Sequence, residues 1–96
     1  MVAYVIFLRE GPVKDEAEMA EYKRKNREHP RNPNMKPVSV YGALTPLEGH
    51  SPDGVVILEF PSVAEAKAWY DSPVYQDSSQ HRRRGADYSA FIVEGL

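Results

Sequence analysis

Apolar and polar residues alternate along four short runs of this chain, and between the runs the period lengthens to that of helices. Residues 2–8 are rich in Val, Ile, Tyr and Phe and are followed by Gly11-Pro12, which predicts a first strand closed by a turn. Asp15 stands where a helix N-cap belongs and Glu18 follows at capping-box spacing. Asp15, Glu16 and Glu18 place negative charge at the positive end of the helix dipole, Lys23, Arg24, Lys25 and Arg27 suit its far end, and Pro30 and Pro33 finish the helix. Residues 38–44 read as a second strand, with Gly42 marking a bulge or a close backbone approach. A loop dense in Gly, Pro, Ser and Asp leads to a third strand over residues 55–60, which the short separation pairs with the second as an antiparallel hairpin.

Ser62 and Glu65 form an S-x-x-E capping box, the strongest local signal in the chain, and start a helix with Val63, Ala66, Trp69 and Tyr70 on one face. Pro73 stops that helix. Ser72 is placed to cap a second, short helix with Pro73 in its first turn, Gly85 ends it, and residues 88–94 form a fourth strand. This order is the split β-α-β pattern of a ferredoxin-like α+β fold: a four-stranded antiparallel sheet with helices on one face.

Both faces of that sheet are apolar. In the first strand Val2, Tyr4, Ile6 and Leu8 alternate with Ala3, Val5 and Phe7. Val55 and Ile57 oppose Val56, Leu58 and Phe60 in the third, and Tyr88, Ala90 and Ile92 oppose Phe91 and Val93 in the fourth. Helices cover one face only, and a monomer would leave roughly several hundred Å² of apolar sheet in water. The expected solution is a two-fold homodimer in which the bare faces meet and the sheets close into a barrel-like core. The alternative is a monomer with a partly open sheet.

Composition narrows the partners. The 96 residues make one domain, residues 1–96, of ordinary globular composition, 42% hydrophobic and 27% charged. Twelve Lys and Arg against 14 Asp and Glu give a net charge of −2, which argues against nucleic acid and anionic membranes as partners. Lys23, Arg24, Lys25 and Arg27 are interleaved with Glu18, Glu21 and Glu28, as on a mixed, solvated helix face. The absence of cysteine removes disulfides, thiolate metal sites and cysteine nucleophiles, and fits a cytoplasmic location. The apolar run at residues 2–8 lacks the basic leader and cleavage site of a signal peptide, and nothing approaches the roughly 20 apolar residues that span a bilayer.

Phe60-Pro61-Ser62, then Ala66-Lys67-Ala68-Trp69-Tyr70-Asp71-Ser72-Pro73-Val74-Tyr75, then Arg82 and the closing Val93-Glu94-Gly95 resemble the DUF1330 family of uncharacterised proteins. Tyr4 to Leu8, Tyr22 and Tyr41-Gly42 fall in the order that the resemblance implies over nearly the whole chain. One departure is Ala43, where a second glycine commonly follows Gly42. The family is similar to the dimeric α+β barrel superfamily, which implies the ferredoxin-like dimer and a ligand cleft between the helices and sheet of each subunit. That superfamily hosts cofactor-free monooxygenases, lactone isomerases, haem-dependent enzymes and ligand-binding domains, so no one chemistry follows from it.

Trp69 and Tyr70 either wall an aromatic pocket or simply pack the core. Asp77 and His81 lie one helical turn apart, where a carboxylate could poise the imidazole as a general acid or base; a solvated surface pair is the alternative. Arg82, where the family also has arginine, suits either a ligand carboxylate or an internal anchor. Ser72 lacks a nucleophile-elbow context, and His29, His50 and His81 lack metal-ligand spacing, so no metal or cofactor is expected. These residues lead to a homodimer binding a small aromatic or carboxylated molecule in a cleft lined by Tyr4, Tyr41, Trp69, Tyr75, His81 and Arg82. As an enzyme it would be a cofactor-free monooxygenase or isomerase with His81 as base and Arg82 holding an anion. As a non-catalytic interaction module, its aromatic residues would only build the core.

Overall fold

Seven elements follow one another in the computed structural model, which describes residues 1–96: β1 (Ala3–Arg9), α1 (Glu16–Glu28), β2 (Lys36–Val40), β3 (Gly54–Phe60), α2 (Val63–Asp71), α3 (Pro73–Gly85) and β4 (Tyr88–Glu94). The sheet order is β2-β3-β1-β4 with every neighbouring pair antiparallel, which is the ferredoxin-like topology. Only one layer of helices lies on the sheet, and the molecule measures 34 × 32 × 17 Å along its principal axes.

The strand alternation divides as the sequence pattern predicts. Ala3, Val5 and Phe7 of β1 and Leu58 and Phe60 of β3 are buried, and Val5, Phe7, Leu58 and Phe60 pack with Ala66 of α2 and Tyr75 of α3 in one core. The alternate residues Tyr4, Ile6, Leu8, Val55 and Ile57 are only half-buried, and on the edges Phe91 is 45%, Val93 44% and Val38 52% exposed. The face away from the helices is therefore an apolar surface that no helix covers.

The helix starts obey their caps. Asp15 Oδ1 accepts from the amides of Ala17 and Glu18, Ser62 Oγ accepts from the Glu65 amide at 3.1 Å, and Ser72 Oγ accepts from the Tyr75 amide at 3.2 Å. Each such cap is worth about 1 kcal/mol. The two glutamates at capping-box spacing turn elsewhere: Glu18 reaches His81 of α3, and Glu65 takes the Asn34 side chain. A tertiary partner out-competes the local amide in both cases.

Two expectations are corrected. The second strand spans Lys36–Val40 with a bulge between Pro37 and Ser39, and ends before Gly42, because Tyr41 turns the chain with φ of 53°. The helix expected to be short, α3, has 13 residues against nine in α2, since its first turn uses Pro73 without losing a hydrogen bond. Gly85 is the last residue of α3 and lies against α1. A Cβ there would come within 2.6 Å of Met19 Cγ and Sδ, so the glycine permits close helix approach. Its carbonyl also accepts the Lys14 amide at 2.7 Å, tying the end of α3 to the start of α1.

Candidate functional site

Arg9 is the last residue of β1 and follows Ala3, Val5 and Phe7 on the face beneath the helices, directly across from Gly54 of β3 and Tyr88 of β4. From it runs a chain of contacts. The Arg9 guanidinium carbon lies 5.9 Å from the centre of the Tyr41 ring, and the Tyr41 hydroxyl is 2.6 Å from that of Tyr88. The Tyr88 ring in turn lies 4.9 Å from the Arg82 guanidinium carbon, which is also 4.9 Å from the Phe7 ring.

Tyr41 reaches this end of the sheet through a backbone conformation uncommon for a residue with a side chain, held by its amide donating to the Val55 carbonyl at 2.8 Å. Gly54 makes room for it, because a Cβ at that position would be 2.9 Å from Tyr41 Cδ1. Between this tyrosine, the end of β1 and the flank of α1 opens a cleft of about 370 Å³, lined among others by Arg9, Glu16, Met19, Lys23, Tyr41 and Asp53.

The electrostatics are unusual at the two arginines. Arg82 is 3% exposed, yet no carboxylate pairs with it and its buried Nε has no partner. Arg9 also has no ion pair and a buried, unpartnered Nε; its Nη2 donates to the Asp53 carbonyl at 3.2 Å. Burial raises the Tyr75 phenol above its ordinary value, helped by neighbouring Tyr22 and opposed by the Arg82 charge. Burial and the Tyr88 hydroxyl raise Tyr41 likewise. Both phenols therefore stay protonated at neutral pH, able to donate a hydrogen bond but not to serve as bases. In the Tyr41–Tyr88 pair one hydroxyl donates to the other, which leaves one proton available to a third acceptor.

The residues singled out in the sequence do not share one cleft. Tyr41 lines the cavity just described. Trp69 and Tyr75 stack on each other with ring centres 4.2 Å apart and join Phe7, Phe60 and Tyr70 in the aromatic core, so packing accounts for them. Arg82 sits behind Tyr88. His81 lies between α3 and α1, its Nδ1 2.6 Å from Glu18 Oε2 and its Nε2 buried without a partner. The carboxylate partner expected for it, Asp77, instead pairs with Lys25 at 3.0 Å, and that hydrogen bond lowers the Asp77 pKa. Tyr4 falls on the other face of the sheet, where strand alternation puts it, and cannot line a cleft beneath the helices.

Ser72 is engaged by the two helix ends it joins, donating to the Trp69 carbonyl at 2.7 Å while capping α3. A second cleft, of about 250 Å³, lies between α2 and β4 and is lined by Val5, Lys67, Tyr70, Ala90, Phe91 and Ile92. No group of three or more His, Asp or Glu side chains is placed to hold a metal ion, and no helix is long and apolar enough to cross a membrane. Sequence reasoning missed Arg9, Tyr88 and Glu18. For Arg9 a signal existed: it continues the core-facing alternation of Ala3, Val5 and Phe7, where a charge needs an explanation.

Together these features define a ferredoxin-like α+β protein with a cleft between sheet and helices. The chain belongs to the DUF1330 family, a domain of unknown function, whose family model matches residues 2–96. No match is found among curated proteins. Solved structures agree on the fold. A protein of unknown function from Rhodopseudomonas palustris is 22% identical, with 99% of this chain and 82% of that one covered and a TM-score of 0.57. An ethyl tert-butyl ether d (EthD) family protein from Bacillus halodurans is 16% identical over the full length of both chains, with a TM-score of 0.65. A protein of unknown function from Thermobifida fusca, described as dimeric and ferredoxin-like, is 15% identical, with 96% of this chain and 88% of that one covered and a TM-score of 0.60.

Proposed function

We propose that the protein is a homodimer that binds a small organic molecule in the cleft beneath Tyr41. The observation that carries the ligand reading is the cleft itself. About 370 Å³ is the size of a small-metabolite site, and its walls combine apolar Val13 and Met19 with a tyrosine and charged groups. Binding is favoured over catalysis, because His81 is held by Glu18 between two helices with its second nitrogen occluded, and does not line this cleft.

The homodimer is supported by the apolar face of Tyr4, Ile6, Leu8, Val55 and Ile57, flanked by exposed Phe91 and Val93, and by the dimeric Thermobifida fusca neighbour of the same fold. Burying this face against its own copy would hide the surface that the helices leave bare. Sedimentation equilibrium at micromolar concentration is expected to give twice the chain mass of 10.9 kDa, falling to that mass in Ile57→Lys. A wild-type mass of one chain overturns the dimer.

Native mass spectrometry of freshly purified protein tests the ligand. An adduct of small-metabolite mass is expected in the wild type and not in Val13→Trp, which fills the cleft from its half-exposed rim. A bare protein mass, or an adduct that survives Val13→Trp in a folded variant, overturns the reading.

A further inference from the structure

We infer that the ligand is anchored by a single carboxylate group, taken at the Arg9 end of the cleft. The inference rests on the ligand-binding reading above and adds the chemistry of its anchor.

Each guanidinium lies near aromatic rings and keeps one unpartnered donor, its Nε, although Arg9 Nη2 is engaged by the Asp53 carbonyl at 3.2 Å. Arg9 lies against Tyr41, and Arg82 lies between Phe7 and Tyr88. A cation–π contact satisfies none of the guanidinium N–H groups, which still require acceptors. At each arginine the Nε donor is buried without a partner. The chain provides neither arginine with a carboxylate, although it pairs other basic groups freely: Lys14 with Asp87, Lys25 with Asp77, and Arg24 with two glutamates. A buried cation without a counter-charge is expensive, and the guanidinium fork of N–H groups matches a planar carboxylate in a bidentate pair.

Charge sets the number of such groups. Arg9 and Lys23 in the cleft wall are balanced by Glu16 and Asp53, so the wall is neutral. Arg82, directly behind Tyr88, is the one positive charge left over. A monoanion balances Arg82, whereas a dianion would leave a net negative charge in a wall that already holds Glu16 and Asp53. The proton left free in the Tyr41–Tyr88 pair supplies a further donor at the same end.

The test uses the full-length protein and arginine Nε–H resonances in ¹H–¹⁵N spectra, assigned by their loss in Arg9→Gln and Arg82→Met. Benzoate is titrated at constant ionic strength, with benzamide as its neutral isostere and inorganic phosphate as a second anion. The Arg9 and Arg82 resonances are expected to move saturably with benzoate and not with benzamide. Arg9→Gln should weaken the benzoate response still seen at Arg82 about tenfold or more, the loss that follows from removing a charge-assisted hydrogen bond. Should Arg82→Met fail to fold, Tyr88→Phe assigns the neighbouring resonance by its shift. Equal responses to benzoate and benzamide, a stronger response to phosphate, no response to benzoate, or an unchanged benzoate affinity in Arg9→Gln overturns the inference. A co-purified adduct without an acidic group overturns it too while leaving the ligand-binding reading intact, whereas loss of the adduct alone strikes that reading.

Discussion

The hydroxyls of Tyr41 and Tyr88, 47 residues apart in the chain, meet at 2.6 Å and close the end of the sheet beside the cleft. The contact joins the turn after β2 to the first residue of β4, two segments from opposite edges of the sheet. It also secures Tyr41 in a left-handed conformation that is unfavourable for a residue with a Cβ. In a double-mutant cycle with Tyr41→Phe and Tyr88→Phe, urea unfolding should give a coupling energy of about 1 kcal/mol. Additive single effects would mean that the two hydroxyls meet without stabilising the fold.

Gly85→Ala is expected to destabilise the protein by about 1–3 kcal/mol, as overpacking does. The sign is diagnostic, since replacing glycine by alanine in a helix ordinarily stabilises it by about 0.5–1 kcal/mol. The new methyl group would meet the Met19 side chain at 2.6 Å. Combining it with Met19→Ala should cost less than the sum of the two single changes, measured by thermal and chemical denaturation.

Arg82→Met should raise the melting temperature while removing the anion response. Methionine keeps much of the volume between Phe7 and Tyr88 but needs no counter-charge, and relief of an unpaired buried cation is worth about 1 kcal/mol or more. A melting temperature that falls by several degrees would show that stacking on the two rings outweighs the burial of the charge.

Stability should decline above about pH 10. The Tyr75 phenol has its folded pKa raised above the ordinary 10.0, so the folded chain holds a proton that the unfolded chain releases. The contribution is therefore fully present below pH 10 and is lost as pH rises from there toward the folded value, with a slope of about 1.4 kcal/mol per pH unit for one proton. Tyr41 shifts in the same direction from a more exposed position and adds less. Tyr75→Phe should flatten the alkaline limb of unfolding free energy between pH 9 and 11, relative to wild type.

Local rules made most of the architecture legible. Ser62, Ser72 and Pro73 place helix boundaries through contacts within three residues of themselves, and the period-two pattern assigns both faces of β1, β3 and β4. The candidate site was read less well because its contacts are long-range. Helical spacing matches His81 to Asp77, whereas its carboxylate comes from Glu18, 63 residues away. Residue type groups Tyr4 with Tyr41, but the parity of β1 sends it to the other face. Arg9 and Tyr88 become neighbours only through the β1–β4 register, and Tyr41 joins them through one backbone angle that no alternation pattern encodes.

The contact of Gly85 with Met19 also makes the two flanks of the cleft mechanically unequal. With the end of α3 pressed on α1, and the Gly85 carbonyl holding the Lys14 amide, the two helices form a stiff wall that has no slack to swing outward. Across the cleft stand Arg9, Asp53 and Tyr41, the last on a 13-residue connection between β2 and β3. One flank of the cleft is thus braced by packed helices, while the other depends on a single backbone turn and one hydroxyl contact across the sheet.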